Sequence, residues 1–185
     1  MTLSTPQPIT LATPIPYGTG TLEKLTLTRP KAGALTGLKL VALAEMDVDT
    51  ILAVVARSAD QPVSVEQLRA VQASDLPKLI EAAATLITGD DEQPEEADGD
   101  SGYVALRHPV TAPDGTEVVE LLLRAPTAGD LRGLRLAGLG DLDVDLVLTV
   151  AERCSTRHLR PGTLRLLDPA DLLRLGKAVS GFFSA

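Results

Sequence analysis

The chain has 185 residues, a formal net charge of −8, and 44% hydrophobic but only 2% aromatic residues. Its rings are Tyr17, Tyr103, Phe182 and Phe183, too few for the stacking platform that single-stranded nucleic acid requires. The charge is local: residues 1–89 carry seven basic and eight acidic side chains, 102–185 carry ten of each, and DDEQPEEADGDS at 90–101 holds seven acids and no base, so neither half attracts nucleic acid or anionic lipid.

The first ten residues, MTLSTPQPIT, lack the basic start and apolar stretch of a secretory leader, and no apolar run reaches the roughly 18 residues of a membrane span. This predicts a soluble cytoplasmic protein. Two short β-prone runs follow, 9–12 and 21–28, with Leu25 and Leu27 alternating against Thr26 and Thr28 around a turn-rich centre; they read as an antiparallel hairpin. A lone hairpin is marginal in water and must lie on something else. Pro30 keeps the preceding residue extended and permits a helix start, although Lys31 and Ala34 offer that start no side-chain cap.

In MDVDTILAVVARSA, Asp47 fits an N-cap and Asp49 adds negative charge to the first turn. The apolar Val48, Ile51, Leu52, Val55 and Ala59 then fall on one helical face, predicted to be buried. Ser64 with Gln67 makes a capping box for a short helical piece, and a last helix starts near Ser74 with Leu76, Leu79, Ile80, Ala83 and Ile87 as its stripe.

The same order returns ninety-six residues later. PKAGALTGLKL at 30–40 stands opposite PTAGDLRGLRL at 126–136, and about 22 of the 65 pairs between 25–89 and 121–185 are identical without a gap, matched Pro, Gly and Asp among them. This is a tandem duplication. The second copy predicts a hairpin from 103–107 and 116–124 around the turn at 113–115. A helix over 128–137 follows, with Thr127 and Asp130 as its capping pair, then a helix capped by Asp143, and a last helix opening at Asp168-Pro169. Gly176 replaces Ile80 on the last stripe, implying either a closely approaching partner backbone or a gap filled by Phe182 or Phe183. The fold class is therefore α+β: a first repeat at 1–89, an acidic flexible linker at 90–101 and a second repeat at 102–185, each repeat a hairpin followed by three or four short helices.

Catalytic sets fail one by one. His108 and His158 stand opposite Thr13 and Pro62, Cys154 is the single cysteine, and YGTGT at 17–21 lacks the Lys-Ser/Thr ending of a phosphate-binding loop. The two Asp-Val-Asp triplets cap helices better than they cage a metal, and Arg57 and Arg153 fall where a cation complements a helix C-terminus. No enzyme, cofactor or metal site is predicted.

The order PTAGDLRGL (126–134), LDVD (142–145), LLDPADLL (166–173) and GFF (181–183) resembles the Mu-like phage tail assembly chaperone family, over nearly all of 103–185 and, through the internal match, over 9–89. The resemblance implies a chaperone made in the host bacterial cytoplasm from a phage or prophage gene. Such a chaperone binds the long, helical, hydrophobic tape measure protein and keeps it soluble until tail tube subunits polymerise around it. The tail tube protein and further copies of the chain are additional candidate partners; nucleic acid and membrane are not. Leu134, Val147, Phe182 and Phe183 are the candidate client-binding residues. A structural or adaptor piece of the finished tail is the alternative.

Overall fold

The computed structural model describes residues 8–89, 102–157, 159 and 162–183; the acidic linker predicted at 90–101 lies outside them. Strands β1 (Pro8–Tyr17) and β2 (Gly20–Thr26) form one antiparallel hairpin. Helices α1 (Val41–Ala44), α2 (Val48–Ser58), α3 (Val65–Leu68) and α4 (Leu76–Thr88) follow. Strands β3 (Tyr103–Thr111) and β4 (Glu117–Leu122) make the second hairpin, followed by α5 (Val144–Cys154) and α6 (Pro169–Gly181). Short 3₁₀ turns stand at Ala32–Leu35, Leu136–Leu139 and Thr163–Leu166. The α+β duplicate is thus present, with two strands in each sheet among the described residues.

Local chemistry accounts for the helix starts. The Asp47 and Asp143 carboxylates accept the Thr50 and Leu146 N–H groups, Ser64 and Gln67 close a reciprocal capping box, and Asp168 caps α6 ahead of Pro169. The predicted helix at 128–137 does not form. Thr127 and Asp130 do exchange the capping hydrogen bonds, yet the chain turns away at Gly133, where φ is 81°. Helical structure resumes only at Leu136–Leu139. The first copy, which lacks that capping pair, is the one that winds a 3₁₀ turn at Ala32–Leu35.

Compactness divides the chain into two units, 1–30 with 42–90 and 31–41 with 91–185. The first repeat therefore gives eleven residues, 31–41, to unit 2. Unit 1 packs Ile15 and Leu25 of its hairpin with Ile51, Val54, Val55, Leu68, Leu79 and Ala83, all nearly inaccessible. Unit 2 packs Val104 and Leu121 with Val147, Ala151, Leu167, Leu172, Leu175 and Val179, and it also encloses Ala32 and Leu35. In each unit the second strand continues past its hairpin to bridge the end of the long helix, Leu27 with Ala59 and Leu123 with Ser155. This is the support a lone hairpin lacks.

Both hairpins are irregular in the same place: the register slips between Thr10 and Ile15, and between Ala105 and Val110. A bulge turns backbone N–H groups out of the ladder, and a buried carboxylate collects them. Asp75 accepts the Ala12 N–H at 2.7 Å; Asp171, at the matched position, accepts those of Arg107 and His108 at 2.9 and 3.0 Å. Both aspartates are fully buried. Asp75 also binds the Lys78 ammonium at 2.8 Å, and this contact, with the Ala12 N–H, holds its carboxyl below the usual carboxylate range.

A depressed native value means that the unfolded chain binds the proton more tightly. The contribution of Asp75 to stability is thus present above the unfolded value near 3.8 and lost as pH falls through the lower native one. Urea midpoints measured from neutral pH down into that range should fall more steeply for the wild type than for Asp75→Asn, which starts from a lower midpoint at neutral pH.

Candidate functional site

Among the described residues no group of three or more His, Cys, Asp or Glu side chains could hold a metal. His108 is about half exposed and lies 3.8 Å from both Asp168 and Asp171, but the carboxylates are spent on backbone N–H groups. His158 lies outside the described residues. Cys154 is buried in α5, and that burial pushes its thiol up. A cavity of about 50 Å³, lined by residues such as Asp145, Thr149, Glu152 and Arg165, is far smaller than the roughly 300 Å³ at which small-molecule sites begin.

Arg153 does more than complement a helix end. Its guanidinium donates to the carbonyls of Asp130 and Arg132 at 2.6 and 3.1 Å, while Arg124 grips the Asp130 carboxylate through both terminal nitrogens. The Arg124 guanidinium, with the Thr127 hydroxyl and N–H, holds the Asp130 carboxyl far below the usual range. Together they pin the loop at 127–132 against the end of α5 and leave Arg135 and Leu136 exposed beyond it.

What remains is apolar surface. At one end of unit 2, Tyr103 and Leu122 face each other across the hairpin, 44% and 43% exposed. The Phe182 ring lies beside Gly102, next to Tyr103, and Phe183 follows, 38% exposed. Three of the chain's four aromatic side chains therefore belong to this end. In unit 1 the hairpin end carries Pro8 opposite Thr26, and Leu86 and Ile87 stand where the phenylalanines would be. Of the four sequence-predicted binding residues, Phe182 and Phe183 are at this end; Leu134 is half-buried in the loop beyond Gly133, and Val147 is 2% exposed within the core. Tyr103 and Leu122 were not among those four. Their signal was an aromatic and a leucine in register across the hairpin, which requires the register itself.

Neither reading of Gly176 describes its neighbour. A Cβ there would meet the side chain of Leu142 at 2.9 Å, so the space goes to a leucine of the same unit, not to a partner backbone or a phenylalanine.

Two segments, 8–87 and 104–184, match the profile of a family described as "Phage tail assembly chaperone proteins, E, or 41 or 14". Tail assembly protein E of Escherichia phage P2 is 37% identical over 79 residues, which span 43% of this chain and 84% of that protein. Tail assembly protein E' of the same phage is 37% identical over 79 residues, covering 43% of this chain and 54% of that protein, so this chain spans about half the length of the second relative. No solved structure matches.

The aromatic end depends on Gly102, whose φ is +61° and whose added Cβ would collide with the Leu123 carbonyl oxygen and crowd the Phe182 ring at 2.8 Å. Gly102→Ala should lower the unfolding free energy by more than about 1 kcal/mol, because both the conformation and the space are wrong for alanine. Chemical denaturation followed by far-ultraviolet circular dichroism measures this.

Proposed function

Because the chain belongs to the phage tail assembly chaperone family over both of its repeats, we propose that it binds the tape measure protein during tail morphogenesis and keeps it soluble until tube subunits enclose it. The reading places this work in the host cytoplasm and makes it one of binding without turnover. The described helices include none long and apolar enough to cross a membrane. The observation that carries the proposal is the apolar end of unit 2, where Tyr103, Leu122 and Phe183 are exposed and the half-buried Phe182 ring lies beside Gly102. A long amphipathic client presents apolar side chains at helical spacing, and aromatic side chains offer it large contact area at small entropic cost.

A structural or adaptor role in the finished tail is the second reading, favoured by sheets that have two strands each among the described residues and whose outer edges can accept another strand. The two differ in the fate of the protein. A chaperone is absent from purified virions by mass spectrometry, whereas a structural component is retained.

Co-expression tests the client role. The tape measure protein should shift from the pellet to the soluble fraction when this chain is present, and Leu122→Ser with Phe183→Ser should abolish the shift while leaving the circular dichroism spectrum unchanged. Unaltered client solubility in the presence of the wild-type chain would overturn the proposal.

A further inference from the structure

The two repeats differ most in what covers their matched helix faces. In unit 2 the segment 31–41 lies along the start of α5 and the 3₁₀ turn at Thr163–Leu166. The Ala32 N–H donates to the Leu167 carbonyl at 2.9 Å, the Val144 N–H to Leu38 at 3.1 Å and the Leu40 N–H to Leu142 at 3.2 Å. The Gly37 N–H donates to the Asp145 carboxylate at 2.6 Å, and the Lys39 ammonium pairs with Asp141 at 2.7 Å. Ala32, Leu35, Leu38 and Leu40 are buried there, and Val144 beneath them is fully buried.

Subtracting ninety-six from the receiving residues gives a set on unit 1 of the same chemical character, two acids and three apolar residues: Glu45, Met46, Val48, Asp49 and Val71. Among the described residues Met46 is 63% and Val48 45% exposed, and Val71 is half-buried. Adding ninety-six to the segment gives Ala128, Gly129, Leu131, Gly133, Leu134, Arg135 and Leu136, of which Leu136 is 41% exposed. Two backbone features of the docked pair recur in the undocked one. Met46 and Leu142 share a positive φ of 58° and 51°, and Gly37 and Gly133 one of 79° and 81°. The chemistry also carries over, with Arg135 and Glu45 in place of Lys39 and Asp141, and Gly133 and Asp49 in place of Gly37 and Asp145.

We propose that residues 127–137 of one chain dock on the Met46–Val48–Val71 face of a second copy of this chain, as 31–41 dock on Leu142, Val144 and Leu167. The contact is heterologous: each chain offers one segment and one face, so copies add head to tail, into a ring if the rotation closes and a filament if it does not. It takes in Leu134 of the sequence-predicted client residues but none of Tyr103, Leu122, Phe182 and Phe183, on which the proposed client surface rests.

Sedimentation of the full-length chain tests the interface. The wild-type mass should rise with concentration beyond two chains, whereas Val48→Asp and Leu136→Asp, both at exposed positions, should each remain monomeric with unchanged circular dichroism. Because one variant keeps an intact segment and the other an intact face, an equimolar mixture should give a two-chain species and nothing larger. Charge reversal supplies a second measurement that does not touch apolar residues: Glu45→Lys should weaken association about two- to fivefold, the size of an exposed ion pair, and adding Arg135→Glu should restore it. A wild-type chain that stays monomeric at every concentration, or variants that associate as the wild type does, would overturn the interface. Solubilisation of the tape measure protein by the monomeric variants reports separately on the client role.

Discussion

Each unit is organised by one buried carboxylate. Asp75 and Asp171 sit at the starts of their last helices and accept backbone N–H groups that the hairpin bulges turn out of the ladder. An N–H group turned inward without an acceptor is among the costlier features a small fold can carry, and an unpaired buried carboxylate is costlier still. Each defect resolves the other. The link also sets geometry, because it ties a strand to a helix more than sixty residues away in sequence and so fixes which face of the hairpin covers the aliphatic core.

Aliphatic packing then suffices for the remainder. With four aromatic side chains in the whole sequence, the interiors are built from Leu, Ile, Val and Ala, whose volumes interdigitate over short helices. The aromatic residues are consequently free for the surface, and three of the four belong to one end of unit 2. The duplicated halves differ along the same line: the second ends in a half-buried Phe182 and an exposed Phe183 where the first has Leu86 and Ile87.

Much of this is legible without coordinates. Asp47, Asp143, Ser64 and the Asp168-Pro169 pair mark helix starts through local hydrogen bonds that depend on only a few neighbouring residues, and the fixed offset of ninety-six residues reveals the duplication. What escapes is whatever depends on partners remote in the chain. Thr127 and Asp130 satisfy the capping pattern, but Arg124 and Arg153 capture the loop before a helix propagates. The matched Asp75 and Asp171 are visible as identities, yet nothing local announces that their carboxylates face a bulge. Val48 has the periodicity of a core residue and is exposed all the same, because periodicity reports an apolar face and not its cover. The same limit hides the allegiance of 31–41: an ungapped alignment assigns both copies of the segment to their own repeats, and only the packing separates them.

That allegiance has a kinetic meaning. A polypeptide with a single repeat could give its segment to another repeat only by meeting a second molecule, at a rate that falls with dilution. Here the donor and the body that receives it are translated as one chain, so the step is first-order and insensitive to protein abundance. Tandem duplication makes of an encounter a folding event.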